Sequence, residues 1–182
     1  IYKYGRWAAA KGLIYHFKTG PLPNLNEDWY DDIFYGVDFG YSINPAAYVK
    51  IYRKAMRFWV RTLIYETGLT NPNMARAIKE HAEGDPEAMT PCDSSETKSI
   101  QELKDNGINA FEAIAGPDSV EFGITLLQTL DITIVDDPDS DEPQDPLIDE
   151  QSTYKWATDK NGEPLPKPKP VKINDHALDA VR

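Results

Sequence analysis

The spacing of apolar and polar residues divides the chain into a first part built of strands and a second part of alternating helices and strands. Three runs rich in β-branched and aromatic residues, separated by short turns, predict an antiparallel three-stranded meander. These runs are IFYGVDFGY (33–41), AAYVKIYR (46–53) and RFWVRTLIYE (57–66). Helices are expected at 71–84, 96–107, 118–130 and in INDHALDAVR (173–182), and further strands at 88–93, 109–114 and 131–136. This order predicts an α/β fold with a mixed central sheet, part antiparallel and part parallel, flanked by helices.

Three segments fall outside this pattern. Residues 1–30 alternate aromatic residues with glycine and proline, and they predict a lead-in with a short strand. Residues 152–175 place Asn161 and Gly162 between polar arms, which is a strong hairpin signal, and the prolines of the second arm rule out a central strand. We therefore expect a β-hairpin that protrudes before the last helix. The stretch 131–150 holds nine acidic residues and lacks the ligand spacing and turn glycine of an EF-hand, so beyond its first strand we interpret it as a solvated loop.

The length and composition narrow the class of protein. A chain of 182 residues is long enough for one domain with a sizeable core. Its single cysteine excludes an intramolecular disulfide and fits a reducing compartment. The sequence has neither 18 consecutive apolar residues nor a charged-then-apolar leader, which argues against a membrane or secreted protein. Thirty acidic and 19 basic residues give a net charge of −11, which argues against a protein that only binds nucleic acid.

Three aspartates could meet in this fold. Asp38 is expected in the middle of the first strand of the meander, where a carboxylate is costly unless it is paired or coordinated. Asp93 ends the fourth predicted strand, which can be a parallel neighbour of the first in a mixed sheet. Asp179 would come from the last helix. Three converging carboxylates repel one another, and a divalent cation such as Mg²⁺ or Mn²⁺ relieves that repulsion.

His176 lies three residues before Asp179 and therefore shares its face of the last helix. A neutral imidazole can ligate Mn²⁺, or it can transfer a proton near neutral pH. We favour the second, supporting role over that of an obligatory ligand. Asp175 is interpreted as the N-cap of this helix rather than as a metal ligand. Glu66, at the end of the third strand, is either a surface residue or a residue that approaches the site from the side.

Six segments, taken together and in order, carry a resemblance. They are the lead-in YGRWAAAKGLIYHF, then GVDFG, then DSSETKSIQELKDNGI with GPDSVEFGITLLQ, then YKWATDKNGEPLPKPKP, and finally NDHALDAVR. They resemble the C-terminal nuclease domain of phage terminase large subunits, which belongs to the ribonuclease H-like superfamily. The resemblance implies that residues 1–30 lead in from an N-terminal ATPase domain and that residues 31–182 form the nuclease domain.

The resemblance also implies a site and an activity. Asp38, Asp93 and Asp179 would hold two divalent cations, Mg²⁺ or Mn²⁺, with His176 beside them. The implied reaction is two-metal hydrolysis of phosphodiester bonds in concatemeric double-stranded DNA. Asp38, on the central strand, would bridge the two ions.

The implied partners are those of a viral DNA-packaging motor in the cytoplasm of the host bacterium, away from any membrane. They are double-stranded DNA, the ATPase domain of the same chain, the terminase small subunit and the portal protein. This chain has no G-x-x-x-x-G-K-[ST] phosphate loop, so it is expected to cut but not to pump. Candidate DNA-binding residues are Lys98, on the helix after Asp93, and the hairpin lysines Lys167, Lys169 and Lys172. The acidic run at 136–150 argues against DNA contact along its own edge.

Other interpretations remain. Another ribonuclease H-like enzyme, such as a hybrid-cleaving ribonuclease or a recombinase, would use the same acids, although the hairpin before the last helix argues against it. A non-enzymatic packaging or assembly module would use the acids as a solvated rim. The DFG sequence at 38–40 also occurs in protein kinases, but no glycine-rich loop, lysine strand or H-R-D segment accompanies it.

Overall fold

A computed structural model of the chain describes residues 12–81, 88–136 and 144–182. The strands are β1 (Lys18–Gly20), β2 (Asp32–Asp38), β3 (Ala46–Lys54), β4 (Arg57–Glu66), β5 (Thr90–Cys92), β6 (Ala110–Glu112) and β7 (Asp131–Val135). The helices are α1 (Asn71–His81), α2 (Thr97–Asp105), α3 (Ser119–Thr129), α4 (Pro146–Thr153) and α5 (His176–Val181), with a 3₁₀ turn at Glu27–Trp29. The elements predicted from residue spacing are present, with ends that differ from the predictions by up to three residues, and α4 is additional. The predicted end of the first helix, at residues 82–84, lies outside the described residues.

The described strands form one mixed sheet in the order β1-β7-β4-β3-β2-β5-β6. β2, β3 and β4 pair antiparallel as a meander, whereas β5, β6, β7 and β1 join the sheet through parallel pairs. The predicted mixed sheet is therefore confirmed. So is the parallel pairing of the first and fourth predicted strands, because Val37 of β2 pairs with Cys92 of β5.

Helices cover both faces of the sheet, because successive residues of a strand point to opposite sides. One face packs against α3, α4 and α5 through Ala47, Val49, Val60, Ile124, Leu127, Ile132, Ile134, Leu147, Ala177 and Leu178. The other face packs against α1 and α2 through Tyr35, Val37, Tyr48, Met74, Ile78, Cys92, Ile100, Leu103 and Ala110. No helix of the described residues is long and apolar enough to cross a membrane.

Helix α5 lies unusually close to β2. A β-carbon built on Gly36 would lie 3.1 Å from the carbonyl carbon of Ala180 and would overlap its oxygen, so only glycine leaves room for the helix backbone. The helix is too short to be stable by itself. Its buried residue Leu178 contributes roughly 1.5–3 kcal/mol by leaving water. Packing on the sheet, rather than local helix preference, therefore holds α5 above β2.

The acidic stretch contains a helix, α4, where the sequence predicted a solvated loop. Asp145 caps this helix by accepting from Leu147 N at 2.9 Å, and it also accepts from the backbone N of Thr62 at 2.7 Å. Thr62 lies next to a register shift in the β3–β4 ladder, where a ladder amide needs another acceptor. The solvated-loop interpretation is thus wrong for residues 144–150, because two of their carboxylates cap backbone amides. Residues 137–143 lie outside the described residues.

The predicted hairpin is present between Lys155 and Val171. Its arms are joined by antiparallel bridges between Trp156 and Pro170 and between Thr158 and Pro164. The turn closes with Gly162 N donating to Asp159 O at 3.0 Å, and Gly162 has a φ of +84°. The hairpin stands outside the seven-stranded sheet, as the prolines of its second arm predict.

The lead-in packs with the sheet over its described part. Ile14 and Tyr15 are buried in the core beside α3 and Tyr154, and β1 pairs with β7 at the sheet edge. The hairpin's first arm also pairs with this segment, through the bridge between Leu13 and Lys155. That an ATPase domain precedes this segment stays a prediction, and residues 1–11 lie outside the described residues.

The 3₁₀ turn is tied to the sheet by a buried cation. Lys50, on β3, donates a hydrogen bond from Nζ to Glu27 of that turn. The same Nζ lies 5.6 Å from the centre of the Tyr35 ring and 5.3 Å from that of Tyr52, so two aromatic faces also receive the charge.

Candidate active site

Asp38 and Asp93 lie side by side at the carboxyl ends of neighbouring parallel strands. They directly follow the pair formed by Val37 and Cys92, and Asp93 N donates to Val37 O at 3.3 Å. Asp38 ends β2, so the expectation that it lies in the middle of its strand is wrong. The loop that follows is tight, because a β-carbon on Gly40 would overlap the carbonyl oxygens of Asn44 and Pro45.

His176, at the start of α5, contacts Asp38 across 138 residues of sequence. Its Nδ1 lies 3.0 Å from Asp38 Oδ2, and the two side chains are only 16% and 14% exposed. Burial raises the pKa of Asp38 to about 6. The hydrogen bond from His176 opposes this rise, while the negative charges of Asp179 and Asp93 add to it. Asp38 thus lies within the electric field of both other aspartates.

Asp179 is engaged by two cations. Lys172 Nζ lies 2.8 Å from Asp179 Oδ2, and Arg182 Nη1 lies 2.7 Å from Asp179 Oδ1. Lys172 is also 3.7 Å from Asp175 Oδ2. Within residues 12–81, 88–136 and 144–182, no three acidic, histidine or cysteine side chains lie close enough together to hold a metal ion. The fold therefore brings Asp38, Asp93 and His176 to one edge of the sheet. Asp179 lies on α5 together with His176, but its carboxylate oxygens contact Lys172 and Arg182.

The chemistry of these side chains fits a divalent cation of the magnesium class. Carboxylate oxygens are the ligands that Mg²⁺ and Mn²⁺ prefer. Burial is the main cause of the raised pKa of Asp38, and the repulsion from Asp179 and Asp93, which a bound cation would relieve, adds to it. The third predicted carboxylate, Asp179, has its Oδ2 in contact with Lys172.

Glu150, on α4, is a supporting residue that sequence reasoning missed. Its buried carboxylate accepts from Ala177 N at 3.0 Å, from Leu178 N at 2.8 Å and from the Tyr65 hydroxyl at 2.8 Å. Burial raises the pKa of Glu150, and the hydrogen bonds from Ala177 and Leu178 oppose that rise. Asp175 occupies the predicted N-cap position but makes no side-chain cap, because Glu150 satisfies the first amides of α5 instead.

The sequence did contain a signal for this part of the site. Asp145 followed by Pro146 is a typical helix start, with an N-cap acid and proline at the first helical position. Recognising it would have predicted α4, and with it a helical Glu150 near the last helix.

Arg182 is a second supporting residue without a sequence prediction. Its side chain lies over Gly123 of α3, where a β-carbon would come within 2.7 Å of Arg182 Cδ. Its Nη1 also donates to the Tyr154 hydroxyl at 3.3 Å. Arg182 is thus held between α3 and Tyr154, and it fixes one oxygen of Asp179.

The candidate DNA-binding lysines differ in their surroundings. Lys98 is almost fully exposed on α2, with Nζ 3.7 Å from Glu102 Oε1. Lys167 donates to Asp118 Oδ1 at 2.8 Å, which joins the hairpin to the start of α3. Lys169 is exposed on the second arm of the hairpin. Glu66 is exposed at the end of β4. DNA binding by these lysines, and by Lys172, stays a prediction.

A profile of the family described as "Terminase RNAseH like domain" matches residues 38–182, which include all four predicted catalytic residues. This chain belongs to the terminase RNase H-like domain family. A curated terminase of the same kind, the large subunit of Bacillus phage SPP1, is 31% identical over 157 residues. The match covers 84% of this chain but 35% of that protein, so the chain spans about a third of its terminase relative.

Solved terminase structures share the fold. The nuclease domain of the SPP1 large terminase, crystallised with bound Mn, matches with a TM-score of 0.72 and 29% identity, over 91% of this chain and 92% of that one. The large terminase nuclease of thermophilic phage G20c with bound magnesium matches with a TM-score of 0.66 and 16% identity, over 94% and 95%. The large terminase of a further thermophilic bacteriophage, in complex with ADP, matches with a TM-score of 0.69 and 23% identity, over 93% of this chain and 43% of that one. The ribonuclease H-like terminase fold is therefore confirmed.

Proposed function

We propose that this chain is the metal-dependent endonuclease domain of a phage DNA-packaging terminase, and that it hydrolyses phosphodiester bonds of concatemeric double-stranded DNA. The observation that carries the proposal is the 3.0 Å contact between His176 and Asp38, beside Asp93 at the carboxyl edge of the sheet. Support comes from the SPP1 nuclease domain, a relative with 29% identity that was crystallised with bound Mn.

Asp38, Asp93 and Asp179 would hold two divalent ions, Mg²⁺ or Mn²⁺. Asp38 would take part in holding the ions together with Asp93 and Asp179, whose negative charges both act on it. When bound, such ions lower the pKa of an attacking water and offset the charge of the leaving oxygen.

His176 is assigned the proton transfer. Asp38 orients its ring through Nδ1, so the other ring nitrogen is available to carry a proton to the leaving 3′ oxygen. Glu150 and Gly36 support this geometry, because they hold the start of α5 and its distance from β2.

The larger context is that of a packaging motor in the host bacterial cytoplasm. The proposed partners are double-stranded DNA, an ATPase domain in the same polypeptide, the terminase small subunit and the portal protein. The support for a further domain is the length of the relatives, since the chain covers only 43% of the large terminase that was solved in complex with ADP. The hairpin with Lys167, Lys169 and Lys172 is assigned to the border of the DNA groove.

The test is plasmid cleavage with Mn²⁺ by Asp38→Ala, Asp93→Ala, Asp179→Ala and His176→Ala variants. Each aspartate change is expected to abolish cleavage, while loss of His176 should cost about 10²–10⁴-fold, as for other acid–base groups. Without metal, the Asp38→Ala and Asp93→Ala variants should melt at or above the temperature of the wild-type domain, because like-charge repulsion is relieved. Asp179→Ala should melt lower, because it removes the carboxylate that pairs with the largely buried Arg182. Asp105→Ala, an exposed change on α2, is the control. Cleavage that persists in excess EDTA, or a fully active Asp179→Ala variant, would contradict the proposed site.

A further inference from the structure

The two cations that contact Asp179 are held very differently. Arg182 is 11% exposed and packs over Gly123, whereas the side chain of Lys172 is 53% exposed. Arg182 therefore has no open path away from Asp179, while Lys172 can leave its carboxylate for water without a rearrangement of the core.

Lys172 also occupies the oxygen that a metal ion would need. Arg182 contacts Oδ1 of Asp179, so Oδ2 is the oxygen left for a further cation, and Lys172 Nζ lies 2.8 Å from it. The same ammonium group is 3.7 Å from Asp175, so it balances two of the carboxylates at the start of α5. An ammonium group and a divalent cation cannot both contact this one oxygen closely, because like charges at that distance repel.

We infer that Lys172 competes with the metal ion for Asp179 and thereby lowers the metal affinity of the domain. Arg182 keeps Asp179 oriented, and Lys172 neutralises it until an ion takes its place. This inference rests on the proposed metal site, and it gives Lys172 a role in metal binding in addition to any contact with DNA.

The test is Mn²⁺ binding to the intact domain, measured by isothermal titration calorimetry and by loss of the free-Mn²⁺ paramagnetic resonance signal. Lys172→Gln removes the charge and is expected to lower the Kd for Mn²⁺ about tenfold, the lower end of the range over which groups that contact metal ligands change affinity. Lys172→Met, with a side chain of similar length, should behave in the same way. Lys172→Arg keeps the charge and should bind Mn²⁺ less tightly than either neutral variant.

The matched control is Lys169→Gln. It removes one positive charge from the same arm of the hairpin, three residues away, at an exposed position. Its Kd should stay within about twofold of the wild-type value, because exposed charges at longer range are screened by salt. Circular dichroism of each variant shows whether the fold is retained, and either neutral variant suffices for the comparison.

The outcomes separate this inference from the proposed function. Tighter Mn²⁺ binding by the neutral Lys172 variants than by Lys169→Gln supports the inference. If the wild-type domain binds Mn²⁺ but the neutral Lys172 variants bind it no more tightly than Lys169→Gln does, the inference is overturned and the metal site stays in place. No Mn²⁺ binding by any variant overturns both.

Discussion

Helix α5 carries His176 and Asp179, and its distance from β2 depends on the missing side chain of Gly36. Gly36→Ala adds one methyl group that would lie 3.1 Å from the carbonyl carbon of Ala180 and closer still to its oxygen. Two non-bonded carbon atoms prefer about 3.5–4.0 Å. The helix must therefore move away from the strand by about 1 Å to accept the methyl group.

That displacement has two expected consequences. Overpacking of this kind costs about 1–3 kcal/mol of unfolding free energy. In a domain of this length, each kcal/mol lowers the melting temperature by about 2–4 °C. A shift of about 1 Å also stretches the 3.0 Å contact between His176 and Asp38 to about 4 Å, which is too long for a hydrogen bond. Misplacement by 1 Å can reduce an enzymatic rate about 10²-fold.

The assay is thermal melting together with Mn²⁺-dependent plasmid cleavage, at a temperature where the variant is folded. Gly20→Ala is the matched control, since Gly20 also lies in a strand and its β-carbon would meet Thr133 Cγ2 at an ordinary 3.8 Å. We expect Gly20→Ala to melt and cleave almost as the wild-type domain does. If Gly36→Ala also matches the wild type in both measurements, α5 does not depend on close approach at Gly36.

Two further predictions concern buried charges. Because burial raises the pKa of Glu150, this residue favours folding at low pH, and the free energy of unfolding should fall as pH rises from the ordinary glutamate pKa of about 4.3 through the raised value. Glu150→Gln should flatten that part of the pH profile, measured by urea denaturation. It should also lower the free energy of unfolding by about 1–2 kcal/mol, because it caps α5 more weakly. The control Asp149→Asn, at an exposed position, should have neither effect. Lys50 is buried, whereas its partner Glu27 is partly exposed, so Glu27→Gln should cost about 1–3 kcal/mol in urea denaturation by weakening the hydrogen bond to a buried ammonium group. Lys50→Met should be nearly neutral. Equal losses from Glu27→Gln and Lys50→Met would contradict this asymmetry.

Local pattern was sufficient for most elements of the fold. The three meander strands were predicted to within three residues at each end, because runs of β-branched and aromatic residues between turns report strand structure directly. The order of the elements allowed the parallel pairing that aligns Asp38 with Asp93, and the structure contains it. The hairpin was predicted from Asn161-Gly162 and the prolines that follow, since turn chemistry is also local.

The acidic part of the chain shows where local pattern failed. In the sequence alone, a run of carboxylates indicates solvated surface. In the structure, Asp145 accepts a hydrogen bond from an amide 83 residues away, and Glu150 accepts from amides 27 and 28 residues away. Their charge was visible in the sequence, but the amides that they accept from depend on how α4 docks on β4 and α5.

The sequence by itself determined which residue types are available for the candidate site and which strands end at or near Asp38 and Asp93. Only the tertiary structure decided that Asp179 is held by Lys172 and Arg182, that His176 turns to Asp38, and that Gly36 sets the height of the helix. The physical reason is that residue spacing encodes which face of an element is apolar. The partner of each charge instead depends on how elements far apart in the chain pack together, where a displacement of about 1 Å makes or breaks a contact.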